Sequence, residues 1–585
     1  MPHRRDVRVA LLSTVMLDLV AELLPVAARP HRLGLTPILA PFGRLEAELL
    51  DPDRRARVGD ADYTVLAGTW HDVLEAPGRH SAGELENRAF DRWSSLVRMV
   101  HEHTTARPVL LGFGTPPADP YGQQALVDPE APSATIRRLN ARLAAACADN
   151  ALFVDVERLA SRSGLDTWED TRFWHQIRQP FAADALPQLA AAIADTIAAD
   201  CGLTRRCVVV DLDNTLWPGV VGDDGIAAVA LDTGATGEAH AALQRHLLAL
   251  RQRGIVLAVA SKNDHKLAVR ALDEVPGMLL RASDFAWIEA GWQPKPEQLR
   301  AIADGLRLGL ESMVFVDDNP AERAEVAAAL PEVHVVNLPR HPSGYAAALA
   351  ATRGLAAHRA GTAGTTRATS YAAVAAADAL SPTFATHEAF LDSLHMRASV
   401  DRVKVASLTR AAELVVKTNQ FNLTTRRRTA AQLLPLIDDP DWYTATLTLT
   451  DRLASHGVVG LLLAHADADT ATVDTLLLSC RVIGRTAETT LLASAVRWAR
   501  QRGCRELRGL YQPTARNSVT ADVYDRHGFT PTPDSGDGIR TYRFDLSRGP
   551  FHGSPHITER DHHDRHERDQ YLRAAVHGVH ARHGG

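Results

Sequence analysis

The sequence predicts a multidomain α/β chain, with two successive parallel-sheet regions followed by a mixed α+β region. Three observations carry this expectation. Apolar runs of strand length alternate with stretches of helical length from the amino terminus to about residue 350. One of these runs, Val208–Val210, leads straight into two carboxylates separated by one residue, Asp211 and Asp213. Beyond about residue 398 the pattern changes to a helix, three strand-like runs in succession, a glycine-bearing loop and a long helix. At 585 residues the chain is too long for one core, and 45% hydrophobic with 23% charged residues suits several ordinary globular domains.

Residues 1–203 supply five strand candidates: Val7–Ser13, Pro37–Pro41, Tyr63–Ala67, Pro108–Gly112 and Ala151–Asp155. Helical stretches such as Ser133–Asn150 separate them, which is the pattern of a parallel sheet covered by helices. The order and length resemble an SGNH-hydrolase-like fold. Ser13-Thr14-Val15 does not reproduce that family's Gly-Asp-Ser, however, so Ser13 reads as a loop serine. His175 reads as structural, and the domain is expected to bind or scaffold rather than catalyse.

Residues 204–350 carry four segments in order. The first strand ends in Asp211-Leu-Asp213-Asn-Thr215; alternation on a strand tip would point both carboxylates the same way. Gly254–Ser261 is a second apolar run, ending in a hydroxyl ahead of Lys262-Asn263. Lys295 sits between prolines, and Met313–Val316 delivers Asp317 and Asp318. Each segment has a bland explanation as a turn, a cap or a solvated side chain. In this order they resemble the motifs of the haloacid dehalogenase-like (HAD) phosphohydrolase superfamily.

That chemistry suits the residue types. Carboxylates around a phosphate need a divalent cation, and Mg2+ held by a few carboxylates and substrate oxygens is the usual solution. Asp211 would be the nucleophile and Asp213 the general acid and base, with Ser261 and Lys295 neutralising the transferring oxygens. Asp211, Asp213 and Asp317 would hold the metal. One helical stretch, Thr236–Arg253, separates the first two segments and about thirty residues the next two, too few for a large cap. An open site can admit a group presented on a macromolecule.

An Ala-, Gly- and Thr-rich stretch makes 351–397 a linker and connector. In 398–546, a helix at Ser407–Val416 precedes strands at Thr444–Thr450, Gly457–Ala464 and Thr472–Cys480. Arg481-Val-Ile-Gly484-Arg-Thr486 then opens a helix through Arg502. This arrangement resembles the pyrophosphate loop of the GNAT acyltransferase fold, with Thr486 in place of the usual small residue. Cys480, beside Arg481 and ahead of a helix amino terminus, reads either as an activated thiol or as a small buried hydrophobe. Arg426, Arg427 and Arg428 read either as a docking patch for an acidic carrier or as a solvated turn.

From about residue 5 to 546 the chain resembles the FkbH family of HAD-like glyceryl transferase/phosphatases. The resemblance rests on the extended Asp211–Gly225 box, Lys417–Arg427, the Leu-Ser-Cys480-Arg-Val-Ile-Gly-Arg box and Pro513–Asn517. It implies removal of phosphate from 1,3-bisphosphoglycerate and loading of the glyceryl unit onto the phosphopantetheine arm of an acyl carrier protein, in polyketide-type biosynthesis. It further implies Cys480 as thioester relay, with Thr215, Asn263, Arg481, Gly484 and Asn517 binding substrate. Arg452–His456 departs from the family's pattern.

A net charge of −6 provides no broad cationic field, which argues against nucleic acid as the main partner. Five cysteines without paired spacing fit a reducing compartment. No long apolar run occurs, and Asp18 and Glu22 interrupt the amino-terminal one, so a cytoplasmic protein without membrane partners is expected. The segment 547–585 is rich in histidine and reads as a solvated polar tail. Two other readings fit the composition: a stand-alone phosphatase with a binding or acetyltransferase carboxyl-terminal domain, and a non-catalytic docking factor.

Overall fold

The computed structural model describes residues 5–75, 78–229, 231, 234–355, 373, 377, 380, 384–418, 420–514, 517–532 and 538–559. The chain divides into two compact units at Thr204/Arg205, with Arg353 returning to the first. There its guanidinium donates to Asp195 Oδ1 at 2.6 Å and to the Ala27 carbonyl at 2.7 Å.

The first unit is built on a five-stranded parallel sheet of order β2-β1-β3-β4-β5. The strands are Arg5–Ser13 (β1), Leu33–Leu39 (β2), Tyr63–Ala67 (β3), Arg107–Leu111 (β4) and Leu152–Val154 (β5). Alternation along β1 divides its side chains between two cores. Val7, Val9 and Leu11 pack with Val20, Leu24 and Ile193 on one face, and Ala10 and Leu12 with Trp93, Leu96 and Leu139 on the other. The helix bearing Trp93, Ala82–His103, starts where Ser81 and Glu84 form a reciprocal capping box. Ser13 Oγ donates to the carbonyl of Val15 at 2.5 Å, so its hydroxyl is engaged in its own loop. His175 is exposed.

The second unit contains two sheets. In the first, of order β10-β9-β6-β7-β8, all neighbours run parallel. Its strands are Cys207–Val210 (β6), Val256–Ser261 (β7), Trp287–Ala290 (β8), Met313–Val316 (β9) and His334–Val335 (β10). β6, β7 and β9 are buried at every position, as expected of strands covered on both faces.

The other sheet has eight strands in the order β16-β17-β15-β14-β13-β12-β11-β18. They are Met396–Arg402 (β11), Trp442–Thr450 (β12), Ser455–Asp467 (β13), Thr470–Leu478 (β14), Glu506–Tyr511 (β15), Thr530–Pro531 (β16), Arg540–Asp545 (β17) and Ile557–Glu559 (β18). The sequence reading ended this domain at 546, but β18 pairs with β11 and extends the fold to Glu559. The remainder of the histidine-rich tail, and the connector at 356–372, lie outside the described residues.

The two sheets, read from sequence as separate domains, share one unit for a physical reason. Cys480 packs against the core of the β6–β10 sheet, and Arg307 donates to the Ile483 carbonyl at 2.7 Å. Among the described residues, no helix is long and apolar enough to cross a membrane.

Candidate active site

Three strand ends and one helix start meet at the carboxyl edge of the β6–β10 sheet, where open parallel sheets hold ligands. β6 ends at Val210 and presents Asp211, whose N–H donates to the Val316 carbonyl at 2.9 Å, locking it beside β9. β9 ends at Val316 and presents Asp317 and Asp318; β7 ends in Ser261, which is 1% exposed. Lys295 begins the helix Lys295–Leu306, with Pro296 in its first turn, where a missing N–H costs nothing.

Lys295 is 2% exposed and its Nζ is committed inward: 2.5 Å from Asp211 Oδ1, 2.6 Å from the Ala260 carbonyl and 3.4 Å from Asp317 Oδ2. Burial works against its charge, but Asp211 and Asp317 outweigh that and hold the ammonium above its ordinary range. Burial likewise pushes Asp211 up, opposed by Lys295 and reinforced by Asp317.

Asp211, Asp317 and Asp318 each place a carboxylate oxygen within 4.8 Å of the others. Asp317 Oδ2 is buried and makes no hydrogen bond. This donor set suits a hard divalent cation that binds oxygen ligands. Asp318, expected as the neighbour or second ligand of Asp317, belongs to this set, and the Asp213 carboxylate, expected as a further ligand, does not. Asp213 Oδ1 accepts from Trp217 Nε1 at 2.9 Å and from the Val221 N–H at 3.0 Å, and its Oδ2 accepts from Asn263 Nδ2 at 2.7 Å. The reason is local: the strand stops at Val210, Asn214 turns the chain with φ +54°, and an Asp213–Trp217 bridge folds the loop back. Period-two alternation therefore no longer governs Asp213.

Thr215 is fully buried and ties two loops together, its Oγ1 accepting the Asp318 N–H at 3.1 Å. Asn263 serves Asp213 as described. Sequence reasoning missed Arg323, which donates to the carbonyls of both Asp317 and Asp318 at 2.7 Å and fixes the acidic loop. It also missed Gln298, whose Nε2 donates to the Ser261 carbonyl at 3.1 Å. Their positions in helices after each motif were the available signal.

The carboxyl-terminal candidates lie elsewhere. Cys480 is half-buried and opens a three-residue 3₁₀ turn; the long helix begins only at Ala487, after positive-φ backbone at Gly484 and Thr486. The expected helix amino terminus directly after Cys480 is therefore absent. Arg481 is 5% exposed, and its Nε donates to Ser479 Oγ at 3.1 Å. The Gly484 carbonyl contacts His387 Nε2 at 3.2 Å. Asn517 is fully buried; its Oδ1 accepts from Thr514, and its Nδ2 donates to the Asn422 and Gln512 carbonyls at 2.9 Å. All four amide hydrogen-bonding directions are accounted for, so Asn517 organises the chain instead of meeting a substrate.

The three arginines read as either a docking patch or a solvated turn all have partners within this domain, although the Arg426 side chain is 40% exposed. Arg426 and Arg428 both pair with Asp474, whose side chain is 3% exposed, and Arg427 donates to the Val415, Val416 and Thr418 carbonyls. Around the Arg452–His456 segment, His456 Nε2 lies 2.8 Å from Asp451 Oδ2, and Arg485 pairs with the same carboxylate. Burial opposes the Asp451 charge, yet these partners hold its carboxyl down at about 2.

The description of the haloacid dehalogenase-like hydrolases matches residues 224–330, a span that takes in Ser261, Lys295, Asp317 and Asp318 but begins after Asp211. Among solved structures, the chain is similar to the N-terminal part of a Bacteroides fragilis protein containing a phosphatase domain, complexed with Mg. Identity is 27%, covering 61% of this chain and 95% of that one, with a TM-score of 0.56. An Escherichia coli ribosomal-protein-S18-alanine N-acetyltransferase matches at 12% identity, covering 26% of this chain and 96% of that one, with a TM-score of 0.21. No curated protein matches. The chain thus carries a haloacid dehalogenase-like hydrolase domain, and it is similar in structure to a protein part that contains a phosphatase domain.

Proposed function

We propose that the chain is a Mg2+-dependent phosphatase that also loads an acyl carrier protein, converting 1,3-bisphosphoglycerate to a glyceryl thioester with release of phosphate. The observation that carries the phosphatase half is the cluster of Asp211, Asp317 and Asp318, the first two buried against Lys295. Asp211, Asp317 and Asp318 would hold the cation, which supplies charge neutralisation at the phosphoryl oxygens. Asp211 attacks the phosphorus of the phosphate ester and forms an aspartyl phosphate, while Asp213 protonates the departing alkoxide. Water, deprotonated by Asp213, then hydrolyses the intermediate. Lys295 and Ser261 stand where charge collects on the transferring oxygens.

The acyl half rests on Cys480 and on the sequence boxes around it. The Cys480 thiolate attacks the acyl-phosphate carbonyl and expels phosphate; the phosphopantetheine thiol then takes the acyl group by thioester exchange. Lys295 opens a helix at the phosphatase site, while Arg307, just past its other end, bonds the Ile483 carbonyl close to Cys480. Twelve residues of helix span about 18 Å, which supports a reading of two reactions at separate places.

Intact-mass analysis of candidate carriers after incubation with Mg2+ and 1,3-bisphosphoglycerate tests this reading. A glyceryl adduct on the carrier is expected, and Cys480→Ala should abolish both that adduct and any acyl-enzyme while phosphate release persists. Undiminished loading by that variant would return Cys480 to a packing residue. The packing of Cys480 against the β6–β10 core favours a second reading, a stand-alone phosphatase, for which phosphate appears without any loaded carrier.

A further inference from the structure

Two polar groups of the first unit are buried and serve none of the chemistry above. Trp168 is 1% exposed, and its Nε1 has no hydrogen-bond partner among the described residues. Thr69 is 3% exposed, and its Oγ1 has none there either. A buried polar group left unmet is costly, which calls for a partner from outside the chain.

The loops that carry these groups converge. β3 ends at Ala67 and is followed by Thr69 and Trp70, and Trp70 Nε1 lies 3.0 Å from both Glu169 carboxylate oxygens. β4 ends at Leu111 and is followed by Gly114. A Cβ built on Gly114 would have Trp168 Nε1 at 3.8 Å and Glu169 Oε1 at 3.9 Å as its nearest neighbours beyond the adjoining residues. The space beside Gly114 is therefore open, with an unmet donor and a carboxyl group at its border. Both walls are fixed. Asn140 accepts from the Phe113 N–H at 2.9 Å and donates to its carbonyl at 2.8 Å, while the Ala182 N–H donates to the Trp168 carbonyl at 2.9 Å and Glu169 pairs with Phe181 in an antiparallel bridge. Trp70 and Glu169 are half-buried, so this is the side that solvent reaches. The strand order β2-β1-β3-β4-β5 reverses at β1, and open parallel sheets hold ligands at the carboxyl ends of strands beside such a point.

A hydroxyl fits these borders. Its oxygen accepts from the indole N–H, which can only donate, and its hydrogen goes to the carboxylate, which can only accept. Burial pushes the Glu169 carboxyl up to about 7, against a lowering by Trp70, so the surroundings disfavour charge and suit an uncharged ligand. Thr69, next to Trp70, offers a place for a second hydroxyl.

We propose that the first unit binds a sugar or polyol, one hydroxyl of which lodges beside Gly114 between Trp168 Nε1 and the Glu169 carboxyl. No covalent step is involved, and Ser13 takes no part because its hydroxyl is engaged in its own loop. The assignment is independent of both halves of the function proposed above.

Nuclear magnetic resonance of the full chain, labelled with heavy nitrogen at its tryptophan indoles, tests this without any turnover. The Trp168 signal is identified by its loss in Trp168→Phe. The probes are ribose, glucose and sorbitol, each titrated to about 0.1 M, where a Kd of about 1 mM saturates the site. At least one is expected to shift the Trp168 signal while that of Trp292, 77% exposed in the second unit, stays in place. Gly114→Ala sets a methyl group in the space at ordinary contact distances and should weaken binding of that probe at least tenfold, with an unchanged unfolding midpoint. Trp168→Phe removes an unmet donor, so it should keep the midpoint and weaken binding about tenfold by calorimetry. No shift with any of the three probes, or undiminished binding by Gly114→Ala, overturns the proposal. So does a shift caused by sodium acetate and by none of the three, which makes the site one for carboxylates. A lowered midpoint in Trp168→Phe overturns it as well, since the indole N–H is then satisfied by a bound water.

Discussion

Replacing Asp213 separates what this residue does for the fold from what it does for the reaction. Its two carboxylate oxygens accept three hydrogen bonds, from Trp217 Nε1, the Val221 N–H and Asn263 Nδ2. In Asp213→Asn, the remaining oxygen keeps Trp217 and Val221, while the new NH2 faces Asn263, whose amide can rotate to offer its own oxygen. The structural loss is then small, below about 1 kcal/mol. In Asp213→Ala three donors lose their acceptor, Trp217 fully buried among them, at a cost of about 2–4 kcal/mol. Catalysis follows a different order. An amide can neither give nor take the proton, so both variants should lose about 10²- to 10⁴-fold in phosphate release. Thermal unfolding and phosphate release, measured on the same preparations, give the two scales. Phosphate release near the unaltered rate in Asp213→Asn, with its midpoint unchanged, would refute Asp213 as the proton donor and leave it as a loop anchor.

Three other outcomes follow from the geometry. Asp211→Asn should abolish phosphate release with an unchanged far-ultraviolet spectrum, because the amide keeps the shape but forms no aspartyl phosphate; residual turnover would place the nucleophile elsewhere. Glu169 in the first unit is pushed up to about 7 by burial, against a lowering by Trp70, whose Nε1 lies 3.0 Å from both carboxylate oxygens. The folded state therefore holds a proton that the unfolded state releases near 4.5, and stability falls as pH rises from about 4.5 to 7, by up to about 3 kcal/mol. Glu169→Gln should flatten the denaturant-midpoint profile of that unit across this window; an unaltered slope would assign the effect to another group. Arg428→Glu sets a carboxylate against buried Asp474 and should cost roughly 3–5 kcal/mol of stability. A normal unfolding midpoint with slowed carrier association would restore the docking role.

The sequence by itself determined the parts that are local. Apolar runs such as Cys207–Val210 and Met313–Val316 form strands because every position is apolar, and the residue that follows each must leave the sheet at its carboxyl edge. Asp211, Ser261 and Asp317 were legible for that reason, and Lys295 from its place between prolines; that it starts a helix is a finding of the structure. The tertiary structure decided which charges share a space. Burying several carboxylates requires partners drawn from distant segments, so Asp318 rather than Asp213 completes the acidic cluster, and Arg323 and Gln298 brace loops they do not belong to. The same requirement paired Arg428, and the exposed Arg426 beside it, with buried Asp474, where a basic run had suggested a docking patch or a solvated turn. Strand pairing over long separations is equally invisible in a single sequence: Ile557–Glu559 closes an edge beside Met396–Arg402 because an unpaired edge needs covering. The place of Cys480, by the far end of the helix that Lys295 begins, depends on how two sheets pack, which no run of residues encodes alone.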